Sequence, residues 1–114
     1  MEELQYIQLD KIKNHAIPFQ LEEITYLQGA HNYTIFSSHL GKQSVSSRTL
    51  KAYDQHLPSS FIRIHKSFIV NLHQVEGVDS ETHTIHLNCG KSVPVSRRRW
   101  SSISEVIADS LKRE

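Results

Sequence analysis

One cysteine, Cys89, is present in 114 residues. With no second thiol, no internal disulfide can form, and a reducing, cytoplasmic setting is expected. Long apolar runs are lacking, and Phe68–Val70 is among the longest. Nothing in the chain is built to span a bilayer as a helix, and no membrane partner is expected. The first residues, MEELQYIQLDK, carry acids where a secretory signal needs bases. Catalytic signatures are missing too. There is no G-x-S-x-G, no P-loop and no glycine-rich dinucleotide turn. Neither enzymatic activity nor a cofactor is therefore expected. His83, His86 and Cys89 form H-x-x-H-x-x-C. On a strand, residues three apart point to opposite faces, so this spacing does not build a metal site. Cys89 beside Gly90 reads as a turn residue. The two helical patterns lie far apart with strands between them, which excludes a helix-turn-helix pair.

Acids are absent from His83 to Ser104, where Lys91, Arg97, Arg98 and Arg99 stand. Residues 31–75 hold five bases (Lys42, Arg48, Lys51, Arg63, Lys66) against Asp54 alone. Residues 1–30 hold five acids and two lysines. The formal net charge of +1 therefore hides a segregation. Positive charge gathered in a middle and a late segment suits a polyanionic partner. A merely solvated surface is the plain alternative.

Periodicity points to one mainly β domain. Residues 16–29 read as one or two short strands. NYTIFSS (32–38) alternates with Tyr33, Ile35 and Ser37 on its apolar side, and KQSVSSR (42–48) returns as a hairpin arm. In residues 49–58, Leu50, Tyr53 and Leu57 share one helical face, and Pro58 stops the helix. FIRIHKSFIVN (61–71) alternates, then loses its period at Lys66 and Ser67, the mark of a bend, a bulge or a helical turn. Three more strands follow at 74–80, 82–88 (Ile85 and Leu87 inward) and 91–96. Pro94 cannot donate to a ladder, so the last strand belongs at an edge. Ser102 and Glu105 have capping-box spacing for a C-terminal helix with the stripe Trp100, Ile103, Ile107, Leu111.

Three polar positions stand out. GAHNY (29–33) offers His31 and Asn32, HKS (65–67) offers Lys66 and Ser67, and SRRR (96–99) offers Ser96 with Arg97, Arg98 and Arg99. Arginine and lysine bond guanine O6 and N7, and asparagine bonds adenine N6 and N7. Serines and backbone amides suit phosphate oxygens. If the three loops share a face, they make a surface that reads duplex DNA. Strand geometry continued through the arginines would send Arg97 and Arg99 one way and Arg98 the other. Each position also has an ordinary reading: Asn32 stabilises a turn, Lys66 is solvated, and the arginines pair with Glu22, Glu23 or Glu105.

In order and spacing, EEITYLQGAHNYTIF, TLKAYDQHLPSSFIRIHKSFIVNLHQVEGV and VPVSRR resemble the LytTR DNA-binding domain, an output domain of bacterial two-component response regulators. The run Phe61–Asn71, F-x-R-x-H-K-S-F-I-V-N, is the most specific part. The resemblance implies an elongated, mainly β fold of short antiparallel sheets, with one short central helix and a C-terminal helix. It implies loops inserted into successive major grooves of bent DNA, at direct-repeat promoter sites bound by two copies. Within that pattern the base-reading positions are the His31–Asn32–Tyr33 loop, Lys66, and Arg97 with Arg98 adjacent. Arg63 and His65 match the motif as supports.

The expectation is a sequence-specific regulator of transcription that binds double-stranded DNA. Asn32, Lys66 and Arg97 read bases. His31, Tyr33, Arg63, His65, Ser67, Ser96, Arg98 and Arg99 hold the DNA backbone or support the loops. Family domains usually follow a receiver domain, and none is in this sequence. The chain is then a stand-alone regulator or a piece of a longer protein, with Met1 tilting towards the first. A separate signalling protein or RNA polymerase is left open as a further partner. The rivals are a protein-interaction module and an RNA-binding β domain. The second needs a platform of exposed aromatics, and Phe36, Phe61, Phe68 and Trp100 look core-directed.

Overall fold

The computed structural model describes residues 20–112. Among them, β1 (Ile24–Ala30), β2 (Tyr33–Ser38), β3 (Gln43–Ser46), β4 (Phe61–His65) and β5 (Phe68–Asn71) form one sheet, ordered β3-β2-β1-β5-β4. β6 (Val75–Asp79), β7 (Thr84–Leu87) and β8 (Ser92–Pro94) form a second, in chain order. Every pairing is antiparallel. Helix α1 (Leu50–Asp54) follows β3, and α2 (Trp100–Lys112) ends the described chain. Single 3-10 turns precede β1 (Leu21–Glu23), join the sheets (Leu72–Gln74) and lead into α2 (Arg97–Arg99). This is the mainly β architecture expected, with its short central helix, its C-terminal helix and Pro94 on an edge strand.

The large sheet is covered on both faces. Ile24, Leu27, Phe36 and Ile69 pack with Leu50 and Tyr53 of α1 on one side. Tyr26, Ile64 and Val70 meet Ile85, Leu87 and Val93 of the small sheet, with Ile103 and Ile107 of α2, on the other. Hence β5 reads as a continuous apolar run: Ile69 enters one core and Val70 the other. In β1 the register shifts between Ile24 and Tyr26. That bulge lets Ile24 and Leu27, an odd step apart, enter the same core. Gly29 lies where α1 begins against β1, and a Cβ there would stand 3.3 Å from Leu50 Cβ. Asn71 ties the junction of the sheets: Nδ2 donates to Ile24 O at 2.8 Å, and Oδ1 accepts from His73 N–H at 3.0 Å.

Some expectations change. β2 buries Thr34 and Phe36 and leaves Tyr33 52% exposed, which reverses the face expected from Tyr33 and Ile35. The larger ring decides it, since Phe36 meets Tyr53 edge-on at 4.9 Å, and Thr34 Oγ1 donates to Arg48 O at 2.7 Å. Ser37 is also buried, on the other side of the strand. The period break at Lys66–Ser67 is a chain reversal: β4 and β5 are the arms of a hairpin, with a bulge between Arg63 and His65. α1 ends at Asp54, well before Pro58, although Leu57 still packs on its core. The capping box does not form. α2 starts earlier, at Trp100, because the preceding 3-10 turn already supplies helical geometry, and Ser102 Oγ donates back to Arg99 O. Of the strand expected over 16–29, residues 16–19 lie outside the described residues.

Candidate nucleic-acid interface

Strand pairing sets three turns side by side. His31 and Asn32 alone join β1 to β2, with Ala30 opposite Tyr33. His31 takes φ 57, the positive value that a two-residue hairpin turn requires. Both turn residues are exposed. β5 lies beside β1 with Gln28 opposite Phe68, so the Lys66–Ser67 turn stands at the same end of the sheet. Gly29 N–H donates to Ser67 O at 2.8 Å and ties the two turns. Beyond β4, Ser96 N–H donates to Ile64 O at 2.9 Å, which brings up the arginine turn. The order along the row is His31–Asn32, Lys66–Ser67, Arg97–Arg99. Counting strand spacings of about 4.8 Å, the outer turns are about 17 Å apart.

The lysine turn is braced from within the protein. Arg63 donates from Nε to His65 O at 3.1 Å and from Nη2 to Lys66 O at 2.6 Å. Its Nη1 pairs with Asp54 Oδ2 of α1 at 3.0 Å. The Arg63 guanidinium is thus engaged with this turn. His65 Nδ1 accepts Ser67 N–H at 3.0 Å, so the neutral ring carries its proton on Nε2. Burial first, then the charges of Lys66, Arg99 and Arg63, hold His65 below the ordinary histidine value. Ser67 is half-buried and contributes its backbone groups to these bonds. The Lys66 side chain is left exposed on this fixed backbone.

The arginines form a single 3-10 turn, not a continued strand. At three residues per turn, successive side chains leave about 120° apart. The alternation expected for Arg97, Arg98 and Arg99 therefore does not hold, and no two of them share a direction. The cause is anchoring at both ends: Ser96 is bonded to β4, and Trp100 N–H donates to Arg97 O as it opens α2. Arg97 and Arg98 are exposed, and Arg99 is half-buried near His65. Among the described residues none of the three pairs with a carboxylate, so the suggested pairings with Glu22, Glu23 and Glu105 do not form. The Ser96 hydroxyl is buried and has no hydrogen-bond partner among the described residues. Ser96 therefore acts on its loop through its backbone, and its Oγ does not face solvent as a phosphate ligand would.

Two contacts beside the turns escaped the reading of the sequence. Asp54 had a signal, being the one acid within a long basic segment. His83 had none: it sits in the β6–β7 turn at φ 53 and stacks on Trp100, with centroids 4.4 Å apart. No spacing rule links those two rings. Among the described residues there is no cluster of three His, Cys, Asp or Glu that could hold a metal, and no helix long and apolar enough to cross a membrane.

The LytTr DNA-binding domain family matches residues 14–108. The transcriptional regulatory protein BtsR of Escherichia coli K12 is 28% identical over 91 residues, covering 77% of this chain and 37% of that protein. BtsR of Salmonella typhi is 26% identical over the same shares. The chain thus spans little more than a third of these relatives. Among solved structures, a LytTr DNA-binding domain of a Bacillus cereus protein described as a methyl-accepting/DNA response regulator superposes with a TM-score of 0.71. That match is 23% identical, covers 95% of this chain and 98% of the other, and is a likeness of fold. With residues 14–108 of 114 matched, the chain belongs to the LytTr DNA-binding domain family.

Proposed function

We propose that this chain is the double-stranded DNA-reading part of a transcription regulator, in which Asn32, Lys66 and Arg97 read bases from three neighbouring turns. The observation that carries this reading is the row itself. Each tip presents an exposed side chain of a base-reading type on backbone held by hydrogen bonds or strand pairing. A pre-set backbone loses less freedom on binding and aims the contact. His31, Tyr33, Arg98 and Arg99 flank these tips and supply phosphate contacts, while Arg63, His65, Ser67 and Ser96 support them. A two-stranded ribbon fits a major groove about 12 Å wide, so the β1–β2 hairpin enters tip first. The row of about 17 Å is shorter than the roughly 34 Å between successive major grooves on one face. Reading two grooves therefore requires DNA bent towards the protein. Two copies bind direct repeats at a promoter, and a signalling protein or RNA polymerase completes the control. The domain has no catalytic task and works in the cytoplasm. Among the described residues an RNA-binding reading finds no platform of several exposed aromatics: Phe36 is buried, Phe61, Phe68 and Trp100 pack on the cores, and Tyr33 alone is exposed.

The test is selection of bound sequences from a random duplex library. The selected duplex is then compared with a scrambled duplex, single-stranded RNA and heparin at one salt concentration. A consensus bound in preference to the other three supports the proposal. Equal binding of all polyanions, or a preference for RNA, sinks it.

A further inference from the structure

Trp100 is the chain's one tryptophan, and it opens α2 directly after the arginines. The His83 imidazole lies flat on its indole, with centroids 4.4 Å apart and planes within 11°. His83 holds φ 53, a conformation that side-chain-bearing residues seldom adopt. Its carbonyl accepts Val95 N–H at 2.8 Å. One residue thus grips both flanks of the arginine turn, Val95 through its backbone and Trp100 through its ring. Between these grips stand Ser96, Arg97, Arg98 and Arg99. Among the described residues the turn is otherwise held by Ser96 N–H to Ile64 O, a local bond from Arg99 N–H to Ser96 O at 3.1 Å, and Ser102 Oγ to Arg99 O. Trp100 N–H donates to Arg97 O, and residues three apart in a 3-10 turn lie on the same side. Arg97 and Trp100 therefore leave the turn on the same side, joined by one backbone bond.

We infer that His83 is a positioning residue for DNA reading: by stacking on Trp100 it sets the start of α2 and aims Arg97. This rests on the proposed role of Arg97 in base readout. The ring does the positioning, and the left-handed backbone brings the ring to the indole.

Two substitutions separate ring from backbone. Asparagine tolerates a left-handed backbone but has no ring to stack. Phenylalanine keeps a flat ring. His83→Asn should alter Trp100 fluorescence, which reports the stack directly because no other tryptophan is present. It should weaken binding to the selected duplex by about tenfold, the scale of one lost base contact, and change binding to a scrambled duplex much less. His83→Phe should restore most of the preference for the selected duplex. In a double-mutant cycle, His83→Asn should add little to Arg97→Ala, since both remove one contact. A purely structural histidine would lower the thermal midpoint and leave the ratio of selected to scrambled binding alone. If His83→Asn does not fold, Trp100→Leu removes the stack from the other side, and the same loss of ratio is expected. A wild-type preference retained by the ring-less variants, or additive losses in the cycle, overturns the inference alone. A wild-type chain that prefers no selected duplex overturns the DNA reading, and the inference with it.

Discussion

At Lys66 and Arg97 the backbone is tied and the side chain is exposed. Alanine at either position should lower affinity for a specific duplex by about 1–3 kcal/mol and relax one position of the site. Thermal stability should hardly move, because both side chains are exposed. Arg98→Ala should weaken specific and scrambled duplexes alike and flatten the salt dependence by about 0.9 in log–log slope, as the loss of a phosphate contact does. Anisotropy on both duplexes across a salt series measures all three, and equal losses for Arg97→Ala would remove it from base readout. His65 adds a pH dependence. Its lowered pKa means that the unfolded chain takes up this proton first as pH falls through the ordinary histidine value of about 6.5. Its contribution is therefore present above that value and is lost as pH falls towards the lowered folded value. Protonation also turns Nδ1 into a donor and breaks the bond to Ser67 N–H. Wild type should lose more thermal stability between neutral and mildly acid pH than His65→Gln. Parallel pH profiles for the two would count against this role.

At the scale of elements, α1 is the piece that could not stand alone. It has five residues, whereas an isolated helix in water is marginal below about 12–15. Leu50 and Tyr53, both buried, hold it on the sheet. The Tyr53 hydroxyl bonds Ser46 Oγ, and burial pushes its pKa up, so the phenol stays neutral. Held there, α1 delivers Asp54 to Arg63 and so braces the lysine turn. Tyr53→Ala should cost about 3–5 kcal/mol, as for other large buried rings. Asp54→Asn removes a partly exposed ion pair and should cost less than about 1 kcal/mol. Denaturant unfolding of the two variants checks the order. A larger loss for Asp54→Asn would mean that the ion pair, not the core, holds the helix.

At the scale of the whole molecule, the large sheet serves two cores at once, and all three turns hang from it or from the strand beside it. Their spacing is therefore a property of one packed body, and under the proposed reading of two grooves the duplex is the partner that must adjust. A smooth bend of 40–90° costs on the order of 1–6 kcal/mol, which added phosphate contacts offset. Gel phasing with a selected site should reveal a bend towards the protein. A straight duplex with full affinity would mean that the row reads one groove and not two.

Local chemistry along the chain determined the kinds of element and the kinds of contact. Alternation, turn residues and Pro94 marked strands because they act within a few residues of one another. The run Phe61–Asn71 with the later P-V-S-R-R carried the family pattern, and Asn32, Lys66 and the arginines declared their chemistry by type. Contacts distant in sequence decided the rest. Which face of β2 turns inward depended on Phe36 meeting Tyr53 from α1. The apolar run in β5 looked like lost period until two cores, one on each face, accounted for it. Arg63 belonged to the motif, but its partner Asp54 came from another element. The arginines left strand geometry because β4 held Ser96 and Trp100, on which His83 stacks, opened α2. Periodicity reports which way a side chain points relative to its neighbours in the chain; only packing between elements decides what it meets.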